Sequence, residues 1–170
     1  MYIEGRFWNN YIGDTDDSLT LVEYLADKHK TELSMEEIFS DLGFDKRNGN
    51  FRYSESPITV ELKNINSEYD ENFVEFYYAI DLVVDLAAIL LECKHNGNVD
   101  LRELFGDDLE TPEPIICITS TQKEDEIINN TLMEFISAPL EFDLSEMCPE
   151  EDMFEMAEVC ENLRKELYVN

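Results

Sequence analysis

From Tyr78 to His95 the sequence reads YAIDLVVDLAAILLECKH, and its apolar residues fall on nearly every side of an α-helix. A helix of that kind has no solvent face, so the rest of the chain has to be built around it. The following Gly97 supplies a stop. The longest apolar run, Phe76 to Leu91, is interrupted by Asp81 and Asp85 and is too short to span a bilayer. The helix therefore belongs at the centre of a folded domain, not in a membrane.

Asp81, Asp85 and Glu92 break the apolar surface of this helix. At 100° per residue they fall at about 0°, 40° and 20°, which makes one narrow acidic stripe with Ala88 between them. The stripe reads in three ways: a ridge facing solvent, a buried pair answered by Arg6 or Arg52, or a carboxylate cluster that receives a cation from a partner.

The surrounding elements are marked by local signals. A helix is expected from Asp16–Ser18 to about Lys30, with Leu19, Val22, Leu25 and Ala26 on its buried stripe and Asp16 and Asp17 serving its first turn. Ser34 followed by Glu37 is a capping-box pattern that opens a short helix carrying Ile38, Phe39 and Leu42, with Gly43 as its stop. Ile58 to Leu62 alternates apolar and polar residues and predicts a strand, and a further strand is placed at Val74–Tyr77. A short helix over Val99–Phe105, the acidic loop GDDLETPEP and a β-rich run Ile115–Thr119 follow. Thr121 and Glu124 form a second capping box, opening a helix that ends before Pro139. The last helix is predicted to start at Pro149 and to bury Met153, Met156, Ala157, Cys160, Leu163 and Leu167. With no internal repeat and no Pro/Gly/Ser linker, residues 1–170 read as one α+β domain, predominantly helical, with a small β-sheet.

The net charge is −28, from 40 Asp and Glu against 12 Lys and Arg. Apolar residues still make up 44% of the chain, enough for a packed core, so the acidity belongs to a folded body and not to a disordered tail. Self-repulsion of this size opposes folding. The same field repels nucleic acid and anionic membranes, which need Lys and Arg to displace counterions. It attracts basic proteins and speeds their approach. Solubility alone, or a salty habitat, is the plainer account of the charge.

No catalytic or metal-binding pattern stands out. His29 and His95 each lie near a predicted helix end, where an imidazole suits the negative pole of the dipole. The run Asp14 to Ser18 fails as an EF-hand loop, because the sixth and twelfth places hold Leu19 and Leu25. Cys93, Cys117, Cys148 and Cys160 sit in separate segments, as free thiols of a reducing compartment do, and the N-terminus lacks a secretory pattern. A cytoplasmic protein without metal or cofactor is the expectation, and not an enzyme. Two acidic loops are candidate contact patches beside Asp81 and Asp85: Glu68, Asp70 and Glu71, with Tyr69 and Tyr77 nearby, and then Asp107, Asp108, Glu110 and Glu113.

The segments WNNYIGDTDDSLTL at Trp8–Leu21, YYAIDLVVDLAAILLEC at Tyr77–Cys93 and PLEFDLSEM at Pro139–Met147 resemble small acidic immunity proteins of bacterial polymorphic-toxin and contact-dependent growth inhibition systems. The chain has Asp14 where related sequences often carry a second glycine. The resemblance implies a protein made beside a toxin and binding it. Its partner is then a cognate basic toxin domain, a nuclease whose cleft is positive because it holds phosphates. Within the shared segments Trp8, Tyr11, Gly13, Asp16, Asp17 and Ser18 are expected to hold the fold. The alternative is a nucleic-acid mimic that occupies the site of a DNA-binding or restriction protein. A mimic inhibits several unrelated proteins, and an immunity protein only its own toxin.

Overall fold

The computed structural model describes residues 1–64 and 72–169, so the first acidic loop, with Glu68, Asp70 and Glu71, lies outside the described residues. The chain opens with linked turns. Phe7 and Trp8 donate their N–H groups to the Ile3 carbonyl, and Asn9 donates to that of Ile12. Helix α1 (Asp16–Asp27) follows, and its N-cap is Thr15, which shares a reciprocal capping box with Ser18. Asp16 and Asp17 sit inside the first turn and do not provide the cap. The buried face is Leu21, Val22, Tyr24, Leu25 and Ala26, whereas Leu19 is 41% exposed, which corrects the expected stripe. The helix stops at Asp27, short of Lys30, and His29 takes a left-handed backbone at φ 50°.

Strand β1 (Glu32–Ser34) leads into α2 (Met35–Leu42), where the Ser34 hydroxyl accepts the Glu37 N–H at 3.1 Å and Gly43 ends the helix at φ 73°. The Glu37 carboxylate does not complete the box; it takes Lys28 and Lys30 instead. Strands β2 (Ile58–Glu61) and β3 (Phe73–Phe76) form an antiparallel pair, with Ile58 opposite Phe76. Helix α3 (Ala79–Asn96) comes next, buried from Ala79 to Cys93. After it come β4 (Val99–Asp100), α4 (Leu101–Phe105) and β5 (Ile115–Thr119). A second sheet has the order β1-β5-β4, parallel between β1 and β5 and antiparallel between β5 and β4. Helix α5 (Gln122–Ser137) opens on the Thr121–Glu124 box. Two short 3-10 turns then lead to α6 (Glu150–Tyr168), for which Pro149 is the N-cap.

Helices α1, α5 and α6 and strands β4 and β5 all pack on α3. Ile80, Leu82, Val83, Val84, Leu86, Ile89 and Leu90 have no exposed surface. Each contributes about 1.5–3 kcal/mol relative to exposure. The six apolar residues predicted for the inner face of α6 are all buried.

Candidate partner-binding surfaces

The acidic stripe of α3 faces inward. Asp81, Asp85 and Glu92 are 4%, 2% and 2% exposed. Asp85 accepts the Gly13 N–H at 3.0 Å and the Ser18 hydroxyl at 2.6 Å. Glu92 accepts the Ile3 N–H at 3.0 Å and the Asn96 side-chain amide. For Asp81 the neighbouring Thr15 side chain favours the charged form, weakly against its burial. The expected arginines are engaged elsewhere, Arg6 with Glu166 and Arg52 with Glu134 and Glu141.

The readings as a solvent ridge or an arginine-paired cluster are therefore corrected. The stripe holds residues 3–18, whose turns leave backbone N–H groups without partners of their own. Neither Asp81 nor Asp85 presents surface to another molecule in this structure.

Burial raises the Asp81 carboxyl well above its usual range, with Asp85, Asp17 and Asp14 adding to the effect. Burial also pushes Asp85 up to about 7, against the two hydrogen bonds that favour its charged form. Two further carboxylates act as remote caps. Asp17 accepts the N–H groups of Tyr77 and Tyr78, at 2.9 Å for the latter, where the chain enters α3. Asp27, which no sequence pattern distinguishes, accepts those of Lys63 and Asn64 at 2.8 and 2.9 Å.

Trp8 is fully buried, and its indole N–H points at the Leu104 carbonyl at 3.4 Å. Gly13 lies against that indole with φ 78°. Tyr11 also has a left-handed backbone, φ 64°, and its hydroxyl donates to Glu155. Asp16 is exposed.

Two acidic surfaces face solvent. In the loop after α4, Asp107, Asp108 and Glu110 are exposed and Glu113 is half-buried. Buried Leu109 pins the loop, and the Thr111 hydroxyl donates to the Ala26 carbonyl at the last turn of α1. The other surface is the outward side of α6, where Glu150, Glu151, Glu155 and Glu158 surround Phe154 in a shallow depression. Sequence reasoning passed over this face because it tracked only the buried stripe of the helix.

The loop meets the last turn of α1 through Thr111, whereas Tyr11, shortly before the first turn, reaches α6 through Glu155. Charge is unevenly spread. Residues 28–63 carry 7 acids and 6 bases, whereas residues 143–158 carry 7 acids and no base.

Among the described residues no group of three or more His, Cys, Asp and Glu side chains is arranged to hold a metal ion, and no helix is long and apolar enough to cross a membrane. A buried central helix under a surface rich in carboxylates makes this a small acidic α+β protein. The family profile of Immunity protein 68 matches residues 2–167, and the chain belongs to that family. No curated protein and no solved structure matches it. Family membership gives the chain a toxin-neutralising immunity role and implies a cognate toxin as its partner.

Proposed function

We propose that the protein neutralises its toxin by stoichiometric binding, and that the toxin domain is a basic nuclease whose phosphate-holding cleft is covered by an acidic surface. The observation that carries this reading is the net charge of −28 on a folded immunity protein. A positive cleft that grips phosphates is attracted by the same field that a cationic protein surface follows. Asp107, Asp108, Glu110 and Glu113 act in the approach of the two proteins. They are charged groups on a loop held in place, and rim charges govern association rates more than lifetimes. Asp81 and Asp85 contribute from the interior, by holding the N-terminal turns.

The test uses the purified protein and the toxin domain encoded beside it. The association rate should fall steeply between low and physiological salt, and nucleic-acid cleavage by the toxin should stop at a one-to-one ratio. A salt-independent rate, or a toxin with no action on nucleic acid, would overturn this reading. Inhibition of several unrelated DNA-binding proteins would favour the nucleic-acid mimic.

A further inference from the structure

The outward face of α6 carries more charge than the fold uses, the used part being Glu155, which accepts the Tyr11 hydroxyl. Glu150, Glu151 and Asp152 stand in the first turn, where carboxylates are favoured by free N–H groups and the helix dipole. Glu155 and Glu158 stand beyond that turn, where the benefit has faded. Glu151 and Glu155 form a like-charge pair four residues apart, an arrangement that opposes the helix.

Further along the same helix the acids are answered, Glu161 by Lys165 at 2.9 Å and Glu166 by Arg6. None of Glu150, Glu151, Asp152, Glu155 and Glu158 has a cationic partner among the described residues.

Phe154 stands in the middle of these groups and is 50% exposed. The carboxylates at four and three residues before it, and at one and four residues after it, line the depression around its ring. An exposed ring inside a set of acids without cationic partners serves neither solubility nor the core. It has the anatomy of an interface centre, an aromatic anchor enclosed by polar groups.

The choice of occupant follows from charge. A second copy of this chain would set the same carboxylates against each other, and a nucleic acid would bring phosphates. A polypeptide surface with arginine or lysine side chains fits both parts of the face, because the alkyl stem or guanidinium plane lies on the ring while the cationic end meets the carboxylates. We propose that the face of α6 between Glu150 and Glu158, centred on Phe154, anchors the toxin by receiving an arginine- or lysine-bearing segment of it. This rests on the toxin-binding reading above. It assigns the lifetime of the complex to α6 and leaves the rate of approach to the loop after α4.

The experiment measures binding kinetics of the full-length protein with the toxin domain encoded beside it. The variants are Phe154→Ala, the double change Glu151→Lys with Glu158→Lys, which leaves the Tyr11 acceptor Glu155 in place, and, for comparison, Asp107→Lys with Asp108→Lys. Thermal unfolding of each variant checks that the fold is kept. Phe154→Ala is expected to raise the dissociation rate at least tenfold and to leave the association rate within about twofold. The double change on α6 should lower affinity at least thirtyfold, and the loop change should act on association alone.

Wild-type dissociation rates for both α6 variants, in the presence of a tight wild-type complex, would overturn the α6 assignment and leave the toxin reading standing. No binding by the wild-type protein would overturn the toxin reading itself. A wild-type dimer that Phe154→Ala converts to monomer would assign the face to a second copy and overturn the proposal.

Discussion

Gly13 sits so close to the face of Trp8 that a Cβ at its position would stand 2.2 Å from the indole Cδ2. The positive φ at Gly13 adds a backbone penalty for any other residue. Gly13→Ala is therefore expected to destabilise the protein by about 2–4 kcal/mol, the sum of strain at φ > 0 and overpacking of a filled core. Trp8 is the single tryptophan, so its fluorescence reports the denaturant midpoint directly. An unchanged midpoint would show that the first turns can be displaced without disturbing the core.

Asp17 caps the entry to α3 from across the fold. Asp17→Ala leaves the Tyr77 and Tyr78 N–H groups without acceptors, a loss of about 1–3 kcal/mol. Asp17→Asn keeps one carbonyl acceptor and should lose less. Amide exchange at Tyr77 and Tyr78 should accelerate in the alanine variant ahead of exchange in α6, and equal rates in both places would contradict a local role.

The buried carboxyls give stability a pH dependence of defined sign. Asp81 and Asp85 have folded-state pKa values above their unfolded ones, because burial penalises the charged form. The Asp85 contribution is complete below the ordinary aspartate range near 4 and is lost as pH rises through about 7, and the Asp81 contribution is lost in the same direction. The unfolding free energy should therefore fall between about pH 4 and pH 7, by at most about 1.4 kcal/mol per pH unit for each proton. Asp81→Asn should flatten that slope. A variant with the wild-type slope would remove Asp81 from the effect.

Much of the fold could be read from sequence where the deciding contacts are local. Thr121 with Glu124, Ser34 with the Glu37 N–H, and the stops at Gly43 and Gly97 each involve neighbours within one turn. The central position of α3 was equally clear, since a helix apolar on all sides has only one place to go. What sequence did not show are contacts across long separations. Strand β1 has three residues and pairs with β5 far along the chain, so no periodicity announces it. Leu19 and Leu21 are equally apolar, and only the packing of α1 decides which is buried. The stripe of Asp81, Asp85 and Glu92 was visible as a pattern, but its partners are backbone N–H groups of irregular turns, which carry no side-chain signature. The same limit hid the remote caps made by Asp17 and Asp27.

The thiols offer a simple check on the packing. Cys93 and Cys160 are buried, and burial pushes the Cys93 thiol up to about 12 and raises that of Cys160 also. Alkylation of the native protein at pH 8 should reach Cys117 and Cys148, which are partly exposed, and spare the other two. All four should react after denaturation. Rapid native labelling of Cys160 would mean that α6 separates from α3 under ordinary conditions.

The early turns are fastened by groups that a ribosome supplies much later: Asp85 for Gly13, 72 positions on, and Glu155 for Tyr11, 144 positions on. A nascent chain paused before α6 holds Tyr11 and Arg6 without their acceptors. Truncated products should accordingly give no graded protection, and a cell gains its defence only when translation of the whole domain is finished.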